Sequence, residues 1–84
     1  MSFSMKVIDT ETIKQEMLKF WKRPATIPTQ STCHARIRLN KNGTKEVVIE
    51  KPSQALALNI SVRNFLLAYD FPQHAFGKDI VIIF

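Results

Sequence analysis

An alternating segment that reverses direction at Asn42-Gly43 constrains the fold of this chain more than any other feature. Ahead of the reversal every second residue is apolar, which is the period of a half-buried strand. The apolar positions are Cys33, Ala35, Ile37 and Leu39, and the positions between them are His34, Arg36 and Arg38. A second alternating run follows the Asn-Gly pair, so the segment predicts a β-hairpin.

The length of the hairpin loop decides which side chains share a face. A two-residue Asn42-Gly43 loop would pair Leu39 with Glu46 and put carboxylates on the core face. A three-residue loop, Lys41-Asn42-Gly43 with a left-handed Gly43, pairs apolar residues with each other. We therefore expect this loop. The pairs it predicts are Ile37 with Val47, Ala35 with Ile49, Arg38 with Glu46 and His34 with Glu50.

Two amphipathic segments flank the hairpin. Asp9 or Thr10 can cap a first helix, which Pro24 should end because the residue before proline disfavours helical geometry. Its apolar face would carry Ile13, Met17, Phe20 and Trp21. A second helix is expected after Pro52, with Ser53 as its cap and Pro72 at its end. Its buried stripe would be Leu58, Val62, Phe65, Leu66 and Tyr69.

The last apolar run, Asp79–Phe84, predicts a third strand and completes the order α-β-β-α-β. The connection from strand 2 through helix 2 to strand 3 is a crossover, so these two strands should be parallel. Strand 1 is antiparallel to its hairpin partner and fits between them. We expect one α+β domain over residues 1–84, a sheet in order 2-1-3, and both helices on one face.

The residue inventory does not suggest an enzyme or a metal site. Cys33 and His34 are adjacent on a strand, so they point to opposite faces and cannot easily bind one ion. Cys33 should be a reduced core residue, and the single cysteine excludes an internal disulfide. With only two glycines there is no phosphate-binding loop. We therefore expect no catalytic residue, no metal and no cofactor.

A net charge of +5 leaves nucleic acid open as an alternative partner. Arg36 and Arg38 would lie on the open face of a small sheet, as in some RNA-binding modules. Those modules stack bases on exposed aromatic side chains of central strands, and strand 1 has none. A basic nucleic-acid-binding module is therefore the alternative to a protein-interaction domain.

Four segments resemble the C-terminal domains of TolA and, more loosely, of TonB. They are FWKRP at the end of helix 1, TCHARIRLNKNG, SVRNFLLAYDFP and the short final strand. The resemblance extends from about Ile13 to Phe84. It implies the same α-β-β-α-β order and a periplasmic domain of an inner-membrane-anchored protein, although that anchor and its stalk lie outside this sequence. We accordingly expect either an excised domain or a short homologue.

The resemblance also implies partners. They would be envelope proteins such as TolB and Pal or segments of outer-membrane transporters, and colicins or phage coat proteins exploit such domains. Family members commonly bind by adding a strand to the sheet. TolA-like domains often pair the strand-1 cysteine with one in helix 2, but Asn59 stands at that second position here. We therefore expect packing to provide the stability.

The two edges of the predicted sheet differ in charge. Strand 2 carries lysines and glutamates, which natural sheets use to protect an edge from pairing. Strand 3 carries no charge after Asp79 and is apolar on both faces. We predict that partners dock on strand 3, with basic residues nearby speeding encounter. The predicted partner-binding residues are Asp79, Ile80, Val81, Ile82, Ile83 and Phe84, together with Lys78, Arg36 and Arg38. Further C-terminal residues or a second copy could cover this edge instead.

Overall fold

The structure, a computed structural model, describes residues 10–84. Asp9, one of the two expected helix caps, lies outside this range. Within this range the chain forms two α-helices, three strands and a short 3₁₀ helix, in the order expected from the sequence. Their bounds are α1 Thr10–Leu18, β1 His34–Leu39, β2 Lys45–Lys51, α2 Leu56–Ala68, the 3₁₀ helix Gln73–Ala75 and β3 Asp79–Ile83.

The three strands form one sheet in the order β2-β1-β3, which confirms the predicted topology. The central strand β1 is antiparallel to both neighbours. The outer strands β2 and β3 therefore run in the same direction, as the crossover connection requires, and are separated by β1. Among residues 10–84, each outer strand leaves one edge of the sheet without a partner strand.

The hairpin has the three-residue loop that the alternation predicts. Asn40 N–H donates to the Thr44 carbonyl oxygen at 2.9 Å, and Gly43 has a φ of 93° in the left-handed region. The pairs Ile37 with Val47, Ala35 with Ile49 and Arg38 with Glu46 are all present. The fourth expected pair is wrong, because a register shift beyond Ala35 places His34 opposite Lys51. Glu50 instead turns its carboxylate to Arg36.

Both helices cover the face of the sheet on which the apolar side chains of β1 lie. Those side chains, Ala35, Ile37 and Leu39, are fully buried, as is that of Cys33 immediately before the strand. Helix α2 lies over β1 and β2 and contributes Leu58, Val62 and Leu66, whereas α1 lies towards β3 and contributes Ile13 and Met17. From the stripe expected on α2, Phe65 and Tyr69 are only half-buried at its rim. The opposite face of the sheet is open to solvent.

Helix α1 is shorter than the sequence predicted, ending at Leu18 and not at Pro24. Beyond Leu18 the N–H groups of residues 19–21 bond to carbonyl oxygens three positions back, at 3.0–3.3 Å. This tighter winding rotates the following side chains away from the helical stripe. Phe20 is consequently exposed, and Trp21 packs against aromatic rings of α2 and of the end of β3.

Helix α2 also begins later than predicted, and Ser53 is not its cap. The residue at the N-cap is Ala55, which offers no side-chain hydrogen bond. Ser53 is held by Asn59 from within the helix, because Asn59 Oδ1 accepts the Ser53 N–H at 2.8 Å and Asn59 Nδ2 donates to the Ser53 carbonyl at 3.0 Å. Asn59 therefore ties the segment before α2 to the helix, in addition to the apolar packing that was expected to stabilise this region.

Candidate partner-binding edge

Within the described part of the chain, the backbone of β3 presents a regular set of hydrogen-bonding groups that the sheet does not use. Cys33 and Phe84 exchange both backbone hydrogen bonds, at 3.0 and 2.8 Å, and Leu39 N–H donates to the Lys78 carbonyl at 2.9 Å. In an antiparallel ladder such bonded pairs alternate along the strand. The residues of β3 between them, Asp79, Val81 and Ile83, therefore direct their N–H and C=O groups away from the sheet.

The same alternation sorts the side chains of β3. Ile80, Ile82 and Phe84 are buried against the helices, whereas Val81 is 42% and Ile83 is 60% exposed on the open face. The sequence left undecided which set would face solvent. Val81 and Ile83 thus combine outward backbone groups with accessible branched side chains, which is the combination an added strand would use.

The β2 edge is less accessible, because α2 lies beside it. Asn40 and Thr44 form a bonded pair at the hairpin loop, so the alternation directs the backbone groups of Lys45, Val47 and Ile49 outward. Arg63 of α2 reaches down and donates through Nη1 to the Val47 carbonyl at 3.2 Å. This side chain occupies an acceptor that an incoming strand would need.

At the β2 edge, the side chain of Lys45 extends to the C-terminal end of α2. Its Nζ donates to the Leu67 carbonyl at 2.8 Å and to that of Tyr69, and it lies 5.4 Å from the centre of the Phe71 ring. Burial lowers the pKa of Lys45, and the nearby charge of Asp70 opposes that shift. A residue that the sequence marked only as an edge charge therefore satisfies carbonyl groups at the C-terminus of α2.

The arginines predicted to assist partner encounter are already paired within the domain. Arg36 Nε lies 2.7 Å from Glu50 Oε2, and Arg38 Nε lies 3.1 Å from Asp79 Oδ1. Hydrogen bonding and the charge of Glu50 raise the pKa of Arg36, and Asp79 does the same for Arg38. The open face is thus a mixed-charge network and not a surface of free cations. Within residues 10–84 no carboxylate forms an ion pair with Lys78.

Cys33 is a free thiol buried beneath the sheet, as its place in the alternation predicted. Burial raises the pKa of Cys33, although a hydrogen bond from the Ser53 backbone partly offsets this. In the described part of the chain, His, Cys, Asp and Glu side chains form no group of three that could hold a metal ion. Over the same residues no helix is both long and apolar enough to cross a membrane.

A band of aromatic rings beside the end of β3 was missed by the sequence reasoning. Trp21 lies 5.3 Å from Phe65 and 4.9 Å from Phe84, measured between ring centres. Tyr69 continues the band to Phe71 at 4.8 Å. The band joins three parts of the chain, namely Trp21 after α1, Phe65 to Phe71 in and after α2, and Phe84 after β3, so no local pattern brings all of it together. The signals in the sequence were Trp21, which the helical period placed on the apolar side of α1, and Phe65 and Tyr69, which it placed on the stripe of α2.

The fold is a small α+β domain in which an α2 side chain occupies a backbone acceptor of the β2 edge, while the exposed side chains of Val81 and Ile83 lie at the β3 edge. The family model for the TonB C terminal matches residues 10–80, and the chain belongs to this family. Domains of the family are periplasmic and non-enzymatic. They serve in energy coupling across the cell envelope and interact with envelope and outer-membrane proteins. Neither the curated proteins nor the solved structures that were searched gave a match.

Proposed function

We propose that this domain works in the periplasm, as part of a TolA- or TonB-like system, and binds an extended segment of an envelope protein along β3. The segment adds a fourth strand by hydrogen bonding to the outward groups of Asp79, Val81 and Ile83. Main-chain bonds contribute affinity in this mode, and side chains at alternate positions contribute specificity. Candidate partners are TolB- or Pal-like proteins and segments of outer-membrane transporters, and colicins or phage coat proteins could exploit the same edge.

The observation that carries the proposal is the contrast between the two sheet edges. At β2, the Arg63 side chain occupies the Val47 carbonyl and Lys45 turns towards the end of α2. At β3, the outward backbone groups lie beside the exposed side chains of Val81 and Ile83. Natural proteins protect the edge strands of their sheets from pairing with other chains. An accessible apolar edge strand is therefore typical of a site where a partner protein binds.

Charge complementarity would act mainly before contact. The net charge of +5 favours approach to an acidic partner surface and raises the association rate more than the final affinity. Lys78, which precedes β3, is better placed for this role than Arg36 and Arg38, whose guanidinium groups are held by Glu50 and Asp79.

Affinity capture from a periplasmic and outer-membrane extract tests the proposal with matched variants. Val81→Lys and Ile83→Lys put a charge on the β3 edge, whereas Val48→Lys puts one on the same open face at β2, where Val48 is 52% exposed. Both β3 variants should lose the captured proteins, and Val48→Lys should retain them. Equal capture by all three variants would place the binding surface elsewhere. Capture of nucleic acid that disappears with rising salt would support the alternative module.

A further inference from the structure

The open face of the sheet is organised in rows that run across the three strands. Arg38 lies directly opposite Glu46 on one side and Asp79 on the other, so the first row alternates negative, positive and negative charge. In the next row Arg36 lies between Val48 and Val81. In the third row His34 lies opposite Ile83. The rows reach the β3 edge with a carboxylate and then two branched apolar side chains.

We infer that the partner segment carries a basic residue beside Asp79 and branched apolar residues beside Val81 and Ile83, an inference that rests on the proposed function. The recognised motif is therefore basic–x–apolar–x–apolar when the added strand runs parallel to β3, and its reverse when it runs antiparallel. The intervening residues face the helices. This motif assigns Asp79 a role in choosing the partner, beyond the backbone contacts that any strand could make.

The geometry of Asp79 supports a cation at that position. Its carboxylate accepts from Arg38 at 3.1 and 3.4 Å and lies 3.6 Å from Arg36 Nη1, all from the side of β1. A carboxylate offers about four acceptor sites, so it can still accept from a neighbour on the outer side. The side chain of Asp79 is also 35% exposed to solvent. Opposite charges on directly opposed residues stabilise a sheet, and like charges destabilise it.

Val81 and Ile83 select apolar neighbours for a different reason. Both side chains already project from the open face, so a branched residue beside each would remove their apolar surface from water. A charged residue there would gain no ion pair from either side chain. The two positions therefore distinguish the apolar end of the segment from the basic end, which fixes the register of the added strand.

Synthetic peptides that alternate with threonine test the motif. One peptide presents Lys-Thr-Val-Thr-Ile, a second has Glu in place of Lys, and a matched pair carries the reversed order. Binding is followed through the backbone amide signals of the domain in a titration. The Lys peptide of the preferred direction should bind about 3-fold to 10-fold more tightly than its Glu counterpart. It should shift the amide signals of Val81 and Ile83 most.

Two variants separate the role of Asp79 from a general effect of charge. Asp79→Asn should remove most of the preference for Lys, because it removes the carboxylate at the edge. Glu46→Gln, at the opposite end of the same row, should leave the preference intact. If the Lys and Glu peptides shift the β3 amides with equal affinity, the motif is wrong and the proposed edge stands. If no peptide shifts those amides, the proposed function fails and the motif with it.

Discussion

Trp21 and Phe84 pack edge to face, with their ring centres 4.9 Å apart and their planes at 65°. The contact joins the segment after α1 to the residue that follows β3. Phe84 also exchanges backbone hydrogen bonds with Cys33 of the segment entering the central strand. The end of the proposed binding edge is therefore held from two sides, by a ladder bond and by an aromatic ring.

Phe84→Ala should cost about 3 kcal/mol of unfolding free energy, since it removes a large buried side chain and two aromatic contacts. Phe20→Ala is the matched control, because the Phe20 ring lies 6.0 Å from that of Tyr69 in the band but is 64% exposed, and it should cost less than about 1 kcal/mol. Denaturant unfolding followed through Trp21, the only tryptophan in the chain, measures both. An equal loss of unfolding free energy in the two variants would show that the contribution of a ring in the band does not depend on its burial.

Ile83→Pro should abolish partner binding while the domain stays folded. The Ile83 N–H points away from β1, so proline removes no bond of the existing sheet but does remove a donor needed by an added strand. Ile82→Pro is the control, because the Ile82 N–H points towards β1 and its loss should destabilise the fold. Circular dichroism checks folding, and capture from envelope extract checks binding. Undiminished capture by folded Ile83→Pro would contradict the β3 proposal.

Lys45→Met should destabilise the domain by about 1–2 kcal/mol, because the apolar side chain leaves the Leu67 and Tyr69 carbonyls without their donor. Lys51→Met, at the exposed far end of the same strand, should change stability by less than about 0.5 kcal/mol. Hydrogen exchange in the last turn of α2 should accelerate only in Lys45→Met. Identical exchange in the two variants would mean that Lys45 does not secure the helix end.

Cys33→Ala should cost about 1 kcal/mol or somewhat more near neutral pH, and this cost should shrink at alkaline pH. Burial raises the pKa of Cys33 in the folded state, so above about 8.5 the thiol ionises first in the unfolded state. The stability that the thiol contributes is complete below that unfolded pKa and is lost as the pH rises through the folded pKa. Urea unfolding of both proteins from pH 7 to pH 10 measures the difference.

A second measurement concerns the accessibility of the same thiol. Cys33 is completely buried, so a thiol reagent should modify native protein slowly and urea-unfolded protein rapidly. Rapid modification of the native domain, or a cost of Cys33→Ala that grows with pH, would contradict the assignment of Cys33 as a protected core residue.

Local pattern was sufficient for the hairpin and its neighbours. The alternation of β1 requires that Val47 and Ile49 oppose Ile37 and Ala35, because a one-residue slip would turn apolar side chains to solvent. A left-handed residue in the loop requires glycine, and Gly43 supplies it. The crossover between β2 and β3 then leaves few arrangements, and the predicted order β2-β1-β3 is the one observed.

The boundaries of the helices were beyond local pattern. Proline marks where a helix cannot continue, not where it ends, so α1 stops at Leu18 before Pro24 is reached. Ser53 was wrong as the cap because α2 begins at Leu56, and the Ser53 Oγ accepts from the N–H of Ala55 before the helix. The register shift beyond Ala35 was also missed, and it accompanies an ion pair between Arg36 and Glu50 across the sheet.

The sequence by itself determined the strands, their register beside the glycine turn, and the apolar character of β3, because these follow from side-chain period and turn geometry. Only the tertiary structure decided which face of β3 is exposed to solvent and which sheet edge is occupied by side chains of the same chain. Arg63 and Lys45 reach their carbonyl partners 16 to 24 residues away, and Asp79 meets Arg38 across 41 residues. Contacts at such separations depend on how α2 and β3 pack against β1, which no local window of sequence contains.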